Sequence, residues 1–136
     1  KGSHFSVSIC YEITFPDQAR LPVKAGADFL VNITNDAWYG NSAAPYQHIG
    51  MAALRAAENR VPIIRAANTG ISGTIEASGE IRHASKLFVD DLVLAEITPS
   101  RNGPTFYSLH GDVFSQICVF LSIALAVFVS ARKRGS

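Results

Sequence analysis

Short apolar runs separated by polar, glycine- and proline-containing stretches predict alternating strands and helices over the first half of the chain. Three of the runs predict strands over Phe5–Cys10, Ala27–Thr34 and Val61–Ala67. The Ala27–Thr34 run is almost continuously apolar and contains Val and Ile, which is typical of a strand buried on both faces. Polar residues at helical spacing predict a helix over Pro16–Lys24, and a stripe of Ala, Leu and Met predicts another over Gln47–Asn59.

The pattern changes after the third strand, where it predicts antiparallel pieces. Thr74–Ala77 and Ile81–Ala84 are joined by Ser78-Gly79-Glu80, which predicts a β-hairpin, and Leu92–Ile97 predicts a further strand. Residues 35–44 are predicted to be a loop because Asn, Asp, Gly and Ser cluster there. The order β-α-β-α-β followed by antiparallel strands indicates an α/β fold with a layered sheet rather than a helix bundle.

Val113–Ala131 is the longest apolar segment of the chain. Its 19 residues contain no charge and only Ser and Gln as polar interruptions. As a helix they would extend ~28 Å, close to the ~30 Å hydrocarbon core of a bilayer, so they predict a transmembrane helix. The alternative is a buried carboxyl-terminal helix of a soluble domain, which would be expected to show a polar face.

A basic tail, residues 132–136, follows this segment and begins Arg-Lys-Arg. The positive-inside rule therefore predicts a cytoplasmic tail, with residues 1–110 as a domain on the opposite side of the membrane. In a bacterium that side is the periplasm.

Composition narrows the function classes. The 136 residues suffice for one modest domain, and the formal net charge is only +1. Because three of the twelve basic residues lie in the tail and the others form no basic stripe, nucleic-acid binding is not expected. The two cysteines, Cys10 and Cys118, are too few for a disulfide scaffold, which predicts a free thiol at Cys10. The chain begins without Met or a signal peptide and is expected to be part of a longer protein.

Cys10 is the leading candidate for a catalytic residue. It ends an apolar run and is followed by Tyr11 and Glu12. A cysteine attacks as the thiolate and needs neighbours that take its proton or stabilise its charge. If the strand continued, Glu12 would lie on the same side as Cys10. The alternatives are a cysteine buried as a small apolar residue and a solvated carboxylate at the strand end.

A second candidate cluster, residues 35–40 with the sequence Asn-Asp-Ala-Trp-Tyr-Gly, follows the second predicted strand and includes Asn35, Asp36 and Trp38. Ligands of α/β sheets bind beyond the carboxyl ends of the strands, where both this loop and Cys10 lie. If the two strands are adjacent and parallel, Asp36 and Trp38 border the thiol. The alternative is a surface loop in which Asn and Asp make turn hydrogen bonds and Trp38 only packs.

Histidine could complete a Cys/His pair, and His48 is the nearest candidate because it lies near the start of a predicted helix. A solvated or core-capping role is favoured for it over a catalytic one. No metal site is predicted, because the remaining histidines show no metal-ligand spacing with one another or with the cysteines. No cofactor is predicted either, since the Gly-containing stretch 70–73 lacks the strand–GxGxxG–helix context of a dinucleotide site.

Four segments together resemble one bacterial enzyme family. They are ICYEITFP at 9–16, GADFLVNITNDAWYG at 26–40, the long stretch 44–81 from APYQHIG to EASGEI, and TFYSLHGD at 105–112. In order and spacing they resemble the carboxyl-terminal part of the apolipoprotein N-acyltransferases, inner-membrane enzymes that contain a nitrilase-like carbon–nitrogen hydrolase domain. The resemblance covers nearly the whole chain, and its CYE and NDAWYG segments are its most specific part.

The resemblance implies a partial nitrilase-like α-β-β-α sandwich followed by one transmembrane helix. It also implies ping-pong acyl transfer, in which a phospholipid acylates a cysteine and the diacylglyceryl-modified N-terminal cysteine of an apolipoprotein accepts the chain. By position in the motifs, Cys10 matches the nucleophile. Active-site support is assigned to neighbouring residues in the two motifs, which are Tyr11, Glu12, Asn35, Asp36 and Trp38.

The chain departs from this pattern in one respect. The family's glutamate base and oxyanion-stabilising lysine precede the cysteine, whereas only nine residues precede Cys10 here. Lys1 and Lys24 lie in the wrong places to substitute, so the chain alone is expected to be inactive. The alternative functions are a nitrilase-type amidase acting on a small amide and a non-catalytic, membrane-anchored remnant.

Overall fold

Five of the six predicted strands form one sheet in the computed structural model, which describes residues 2–134. The first three strands are parallel and the last two are antiparallel, in the spatial order of the chain. This arrangement confirms the α/β class and the hairpin, although both hairpin strands are shorter than predicted. The strands are β1 (Phe5–Ile9), β2 (Phe29–Asn35), β3 (Ile63–Asn68), β4 (Gly73–Ile75) and β5 (Ile81–Arg82).

Two helices connect the parallel strands, and two more end the chain. The helices are α1 (Pro16–Lys24), α2 (Ala44–Asn59), α3 (Phe106–His110) and α4 (Val113–Arg134). A prolyl residue at the first or second position begins both α1 and α2, where a missing N–H has no helical partner to lose. Because of this start, α2 begins three residues earlier than predicted. Two 3₁₀ turns, Cys10–Thr14 and Ala37–Tyr39, follow β1 and β2.

The helices α1 and α2 pack on one face of the sheet. Eleven hydrophobic residues form the buried core there, with Leu30, Ile63 and Ile75 from the sheet among them. The opposite face is apolar but open over the described residues: Phe5 is 59% exposed, Ile9 63% and Ile33 52%. The expectation that β2 is buried on both faces is therefore wrong for these residues, because only one face has a helical layer.

The predicted strand over Leu92–Ile97 is also wrong, since residues 84–105 form no helix or strand. Leu92 and Leu94 point into solvent, so pairing this run would bury no apolar side chain on their side. The segment is instead tied to loops, where Phe88 N–H donates to Thr69 O and Ser100 N–H donates to Asp28 O. An apolar run alone does not make a strand when the adjoining sheet offers no packed face.

The short helix α3 is fixed to α1 and α2 by polar contacts. Thr105 caps its start and donates through Oγ1 to Glu58 O over 2.8 Å. Ser108 Oγ donates to Asn59 Oδ1 over 2.8 Å, and Arg20 donates to the Ser108 carbonyl over 3.1 Å. The segment that leads into α4 is thereby attached to the helical layer of the domain.

The last helix, α4, has exposed side chains over residues 114–132. Its Val113–Arg132 stretch is the one helix in the described part of the chain that is long and apolar enough to cross a membrane, and none of it is buried. This agrees with the predicted transmembrane helix over 113–131 and contradicts a buried helix of a soluble domain. Residues 135 and 136 of the predicted basic tail lie outside the described residues, as does Lys1.

Candidate active site

Cys10 lies at the carboxyl end of β1, one residue beyond the strand that was predicted to include it. Its backbone has a φ of 52°, which is uncommon for a residue with a side chain. Such a conformation persists only when the surrounding structure holds it, and it clusters at functional sites. The turn leaves the side chain half-buried at the edge of the sheet. The geometry thus presents a thiol at the place where α/β sheets bind ligands.

The chain does not continue as a strand after Cys10, so the expected alternation of Cys10 and Glu12 is wrong. Residues 10–14 form a 3₁₀ turn, and Glu12 Oε2 accepts a hydrogen bond from Ile9 N–H over 2.7 Å. The carboxylate therefore ties the turn back to β1. Tyr11 is half-exposed, and its ring lies 5.9 Å from that of His48 between centroids.

β1 and β2 are adjacent and parallel, as the site prediction required. The three candidate residues in the loop after β2 have different environments. Asn35 Oδ1 accepts from Ala37 N–H over 3.1 Å, which is the turn role offered as the alternative. Asp36 is 1% exposed and points into the protein. Trp38 is 84% exposed, and its role beside the thiol stays a prediction.

Asp36 is the centre of a buried charged cluster. Its Oδ2 accepts from the Arg65 guanidinium over 2.8 Å, and its Oδ1 accepts from Thr34 Oγ1 over 3.0 Å. His48 Nδ1 lies 3.0 Å from the same Oδ1. A side chain at Gly70 would collide with the Asp36 carboxylate, so glycine is required there. His48 is accordingly a buried partner of Asp36, which rules out the solvated role and agrees with a core-capping one.

The cluster shifts the ionisation of its members. Burial lowers the pKa of His48, the Arg65 charge lowers it further, and contacts with Asp36 and the Cys10 backbone oppose this shift. Burial also lowers the pKa of Arg65, against the Asp36 ion pair, but a guanidinium stays charged at neutral pH. Burial raises the pKa of Tyr39, with smaller contributions from Asp36 and Cys10.

Two site residues, Asn32 and Arg65, were not singled out from the sequence. Asn32 Nδ2 donates to the Cys10 carbonyl over 3.3 Å, and its Oδ1 accepts from Arg65. Both are buried in the sheet, and the available signal was a polar residue inside an otherwise apolar strand run. Tyr39 is also near the site, with its ring centroid 6.1 Å from that of His48.

The chemistry of this edge of the sheet rests on a thiol, hydroxyls, amides and an internally paired carboxylate. Over residues 2–134, no three His, Cys, Asp or Glu side chains come together as metal ligands. The arrangement suits nucleophilic attack by Cys10 on a carbonyl carbon, followed by transfer of the acyl group.

The sequence comparison identifies the family. Residues 1–106 match the profile of the carbon–nitrogen hydrolase family. The chain belongs to this family. It is 46% identical to the apolipoprotein N-acyltransferase of Geobacter metallireducens, over 93% of this chain and 24% of that protein. It is 36% identical to apolipoprotein N-acyltransferase 1 of Treponema denticola, over 92% of this chain and 23% of that protein. The carbon–nitrogen hydrolase chain thus spans about a quarter of the length of these relatives.

Solved structures support the nitrilase-like fold. The chain resembles Nit3 of Saccharomyces cerevisiae, a member of the nitrilase superfamily, with a TM-score of 0.52, 23% identity and coverage of 61% of this chain and 33% of that one. It also resembles a carbon–nitrogen hydrolase from Helicobacter pylori, with a TM-score of 0.54, 16% identity and coverage of 60% and 36%. At these identities the likeness concerns the fold.

Proposed function

We propose that this chain is the carboxyl-terminal part of a lipoprotein N-acyltransferase. The main support is the combination of the strained Cys10 turn with 46% identity to such an enzyme over nearly the whole chain. In this proposal residues 1–110 complete a carbon–nitrogen hydrolase domain on the periplasmic side of the bacterial inner membrane. Residues 113–131 cross the membrane, and residues 132–136 form a cytoplasmic tail.

The proposed reaction has two acyl transfers. The Cys10 thiolate attacks an ester carbonyl of a phospholipid and forms a thioester as the ester C–O bond breaks. The departing oxygen takes up the proton that the thiol gave up, and the lysophospholipid is released. The α-amine of a diacylglyceryl-modified apolipoprotein cysteine then attacks the thioester, forming an amide and returning the thiol. Tyr11, Glu12 and the Asn35–Trp38 loop support the turn and border the substrate, and no metal or cofactor takes part.

The proposal requires further chain for activity. A base must take the thiol proton and a cation must stabilise the oxyanion, and in the resembling family both groups precede the cysteine. Loss of groups that act together commonly costs several orders of magnitude in rate. The open apolar face of the sheet also suits a second sheet layer supplied by such a segment. We therefore expect no turnover from residues 1–136 alone.

The test is to incubate a longer protein that contains this chain with phospholipid and to measure its intact mass. A fatty-acyl increment is expected that disappears in Cys10→Ala. Cys118→Ala is the matched control, because Cys118 is a free and exposed thiol on α4, and this variant should keep the increment. An increment that persists in Cys10→Ala would contradict the nucleophile assignment.

The alternatives predict different results in the same assay. A nitrilase-type amidase would release ammonia from a small amide and give no stable increment from phospholipid. A non-catalytic remnant would give no increment and an ordinary rate of alkylation at Cys10. The apolar helix α4 favours the lipid substrate, because hydrolysis of a small amide needs no membrane segment.

A further inference from the structure

A row of buried polar residues crosses the sheet beneath Cys10. Ser8 on β1, Asn32 on β2 and Arg65 on β3 lie directly opposite one another in the parallel register. All three are less than 9% exposed and lie on the face covered by the helices. The row beside it contains the core residues Leu30 on β2 and Ile63 on β3, with the partly buried Ser6 opposite Leu30 on β1.

Buried polar groups reduce stability unless each is hydrogen-bonded, so the side chains of the row must be oriented to satisfy one another. Arg65 has only donors, and it directs one N–H to Asn32 Oδ1, a second to Asp36 and a third to the Ile71 carbonyl. An asparagine amide can face either way, but the Arg65 contact requires the oxygen to face Arg65. The Asn32 NH₂ group must then face Ser8 and Cys10.

The NH₂ group reaches three oxygen atoms on that side. Asn32 Nδ2 lies 3.2 Å from Ser8 O, 3.2 Å from Ser8 Oγ and 3.3 Å from Cys10 O. The Asn32 NH₂ group therefore restrains the Cys10 carbonyl by a hydrogen bond. Cys10 is also the residue whose left-handed backbone sets the direction of the thiol. A second contact also restrains this turn: within the turn itself, Glu12 Oε2 accepts a hydrogen bond from Ile9 N–H.

We propose that Asn32, oriented by Arg65, is a positioning residue for the nucleophile. It holds the Cys10 carbonyl so that the thiol keeps the direction needed for attack on the acyl carbonyl. This inference rests on the proposed function, since it assumes that Cys10 is acylated. Without the contact, Cys10 can relax toward an ordinary backbone conformation, and a misplacement of about 1 Å can reduce a rate about a hundredfold.

The test uses Asn32→Asp in the longer protein. The change keeps the shape of the side chain and its contact with Arg65, but it replaces the NH₂ donor by an oxygen that repels the Cys10 carbonyl. We expect the rate constant of thioester formation at saturating phospholipid to fall at least tenfold, with the KM for phospholipid unchanged. A purely structural residue would not separate these two quantities.

Asn59→Asp is the matched control. Asn59 is also a fully buried asparagine with two hydrogen bonds, but its partners are Arg55 O and Ser108, in the helical layer rather than the sheet row beneath Cys10. It should lower the melting temperature in detergent and leave the rate constant of the folded protein within twofold of the wild type. An equal fall in both variants would overturn the proposal, as would a wild-type rate in Asn32→Asp.

A second pair of variants covers the case in which a buried acid prevents folding. Asn32→Ser is uncharged and too short to reach both Arg65 and Cys10, and it should show the same tenfold fall, whereas Asn59→Ser should not. A wild-type rate in Asn32→Ser would overturn the proposal. Persistence of the acyl increment in Cys10→Ala would instead overturn the proposed function, so the two failures are distinguishable.

Discussion

At the scale of single residues, the site depends on side chains that are buried rather than displayed. Asp36, His48 and Arg65 are each less than 9% exposed, and together they fill the space between the sheet and α2 behind the turn that contains Cys10. Breaking such a buried pair by removing one partner is strongly destabilising, because it leaves an uncompensated charge. Their role is to hold the site in shape, while Cys10 stays within reach of solvent.

The lowered pKa of His48 leads us to predict that the stability of the folded protein depends on pH. Because burial lowers the pKa of His48, the unfolded chain binds a proton below about pH 6.5 that the folded protein does not. Stability present at neutral pH is therefore lost as the pH falls from about 6.5 toward the folded pKa, by up to about 1.4 kcal/mol per pH unit. Thermal unfolding in detergent between pH 7.5 and 5.5 should show this slope.

His48→Gln should flatten the slope over that range, whereas His110→Gln, at an exposed histidine on α3, should leave it unchanged. An equal slope in wild type and His48→Gln would contradict the assignment.

Sequence patterns identified the residues near the thiol better than those beneath it. Cys10 and the Asn35–Trp38 loop could be placed at one edge of the sheet because strand ends can be located from apolar runs. Asn32 and Arg65 could not be assigned, because the contact of Asn32 with Cys10 spans 22 positions and its contact with Arg65 spans 33. The buried partners of Asp36 were not predicted either, since Arg65 and His48 belong to two other elements.

At the scale of secondary structure, α3 is the element whose stability depends most on side-chain caps. Its five residues are too few to form a stable helix alone, so its contacts with α1 and α2 must hold it. The Thr105 hydroxyl accepts from Ser108 N–H and donates to Glu58 O, thereby capping the helix and joining it to α2.

Thr105→Val should remove both bonds at nearly constant volume. Loss of an N-cap costs ~1 kcal/mol, and the Glu58 contact adds to this, so we expect ~1–2 kcal/mol of destabilisation. The check is thermal unfolding in detergent, with Thr98→Val as the control at an exposed threonine. Equal melting temperatures of the two variants would contradict a stabilising role for the cap.

Elements with a strong local signal were predicted, and those that depend on tertiary partners were not. The helices α1 and α2 were found from side-chain periodicity, and β2 and β3 were found from apolar runs. The end of β1 was misplaced by one residue, because the turn at Cys10 is held by side-chain hydrogen bonds of Asn32 and Glu12, which the apolar run does not reveal. The run Leu92–Ile97 has strand-like composition, but the sheet provides no packed position for it.

At the scale of the whole molecule, the chain has two apolar surfaces whose exposure to water is unfavourable. One is the open face of the sheet around Phe5, Ile9 and Ile33, and the other is α4. Large contiguous apolar patches are rare on soluble monomers and mark interaction sites. The sheet face suits a second layer of protein, and the helix, which is apolar around its circumference, suits lipid.

The helix predicts a sharp sensitivity to charge at its centre. Leu121→Arg should impair membrane insertion of residues 113–134, because an arginine at the middle of a transmembrane helix costs ~2.5–3.5 kcal/mol on insertion scales. Since none of the Val113–Arg132 stretch is buried against the domain, the segment can be assayed in a host protein by glycosylation mapping. Leu121→Ile is the control, and equal insertion of the two variants would contradict a membrane-spanning role.

The left-handed backbone at Cys10 sets the proposed catalytic role of this residue against the stability of the folded molecule. Glycine adopts a φ of 52° without penalty, whereas a residue with a Cβ pays about 1–2 kcal/mol there. Judged by this backbone cost alone, glycine, which has no thiol, would give the most stable folded protein at this position. Engineering that selects for thermal stability alone would favour glycine at position 10 and would remove the proposed nucleophile. Mutational tolerance at Cys10 consequently measures selection for activity separately from selection for folding.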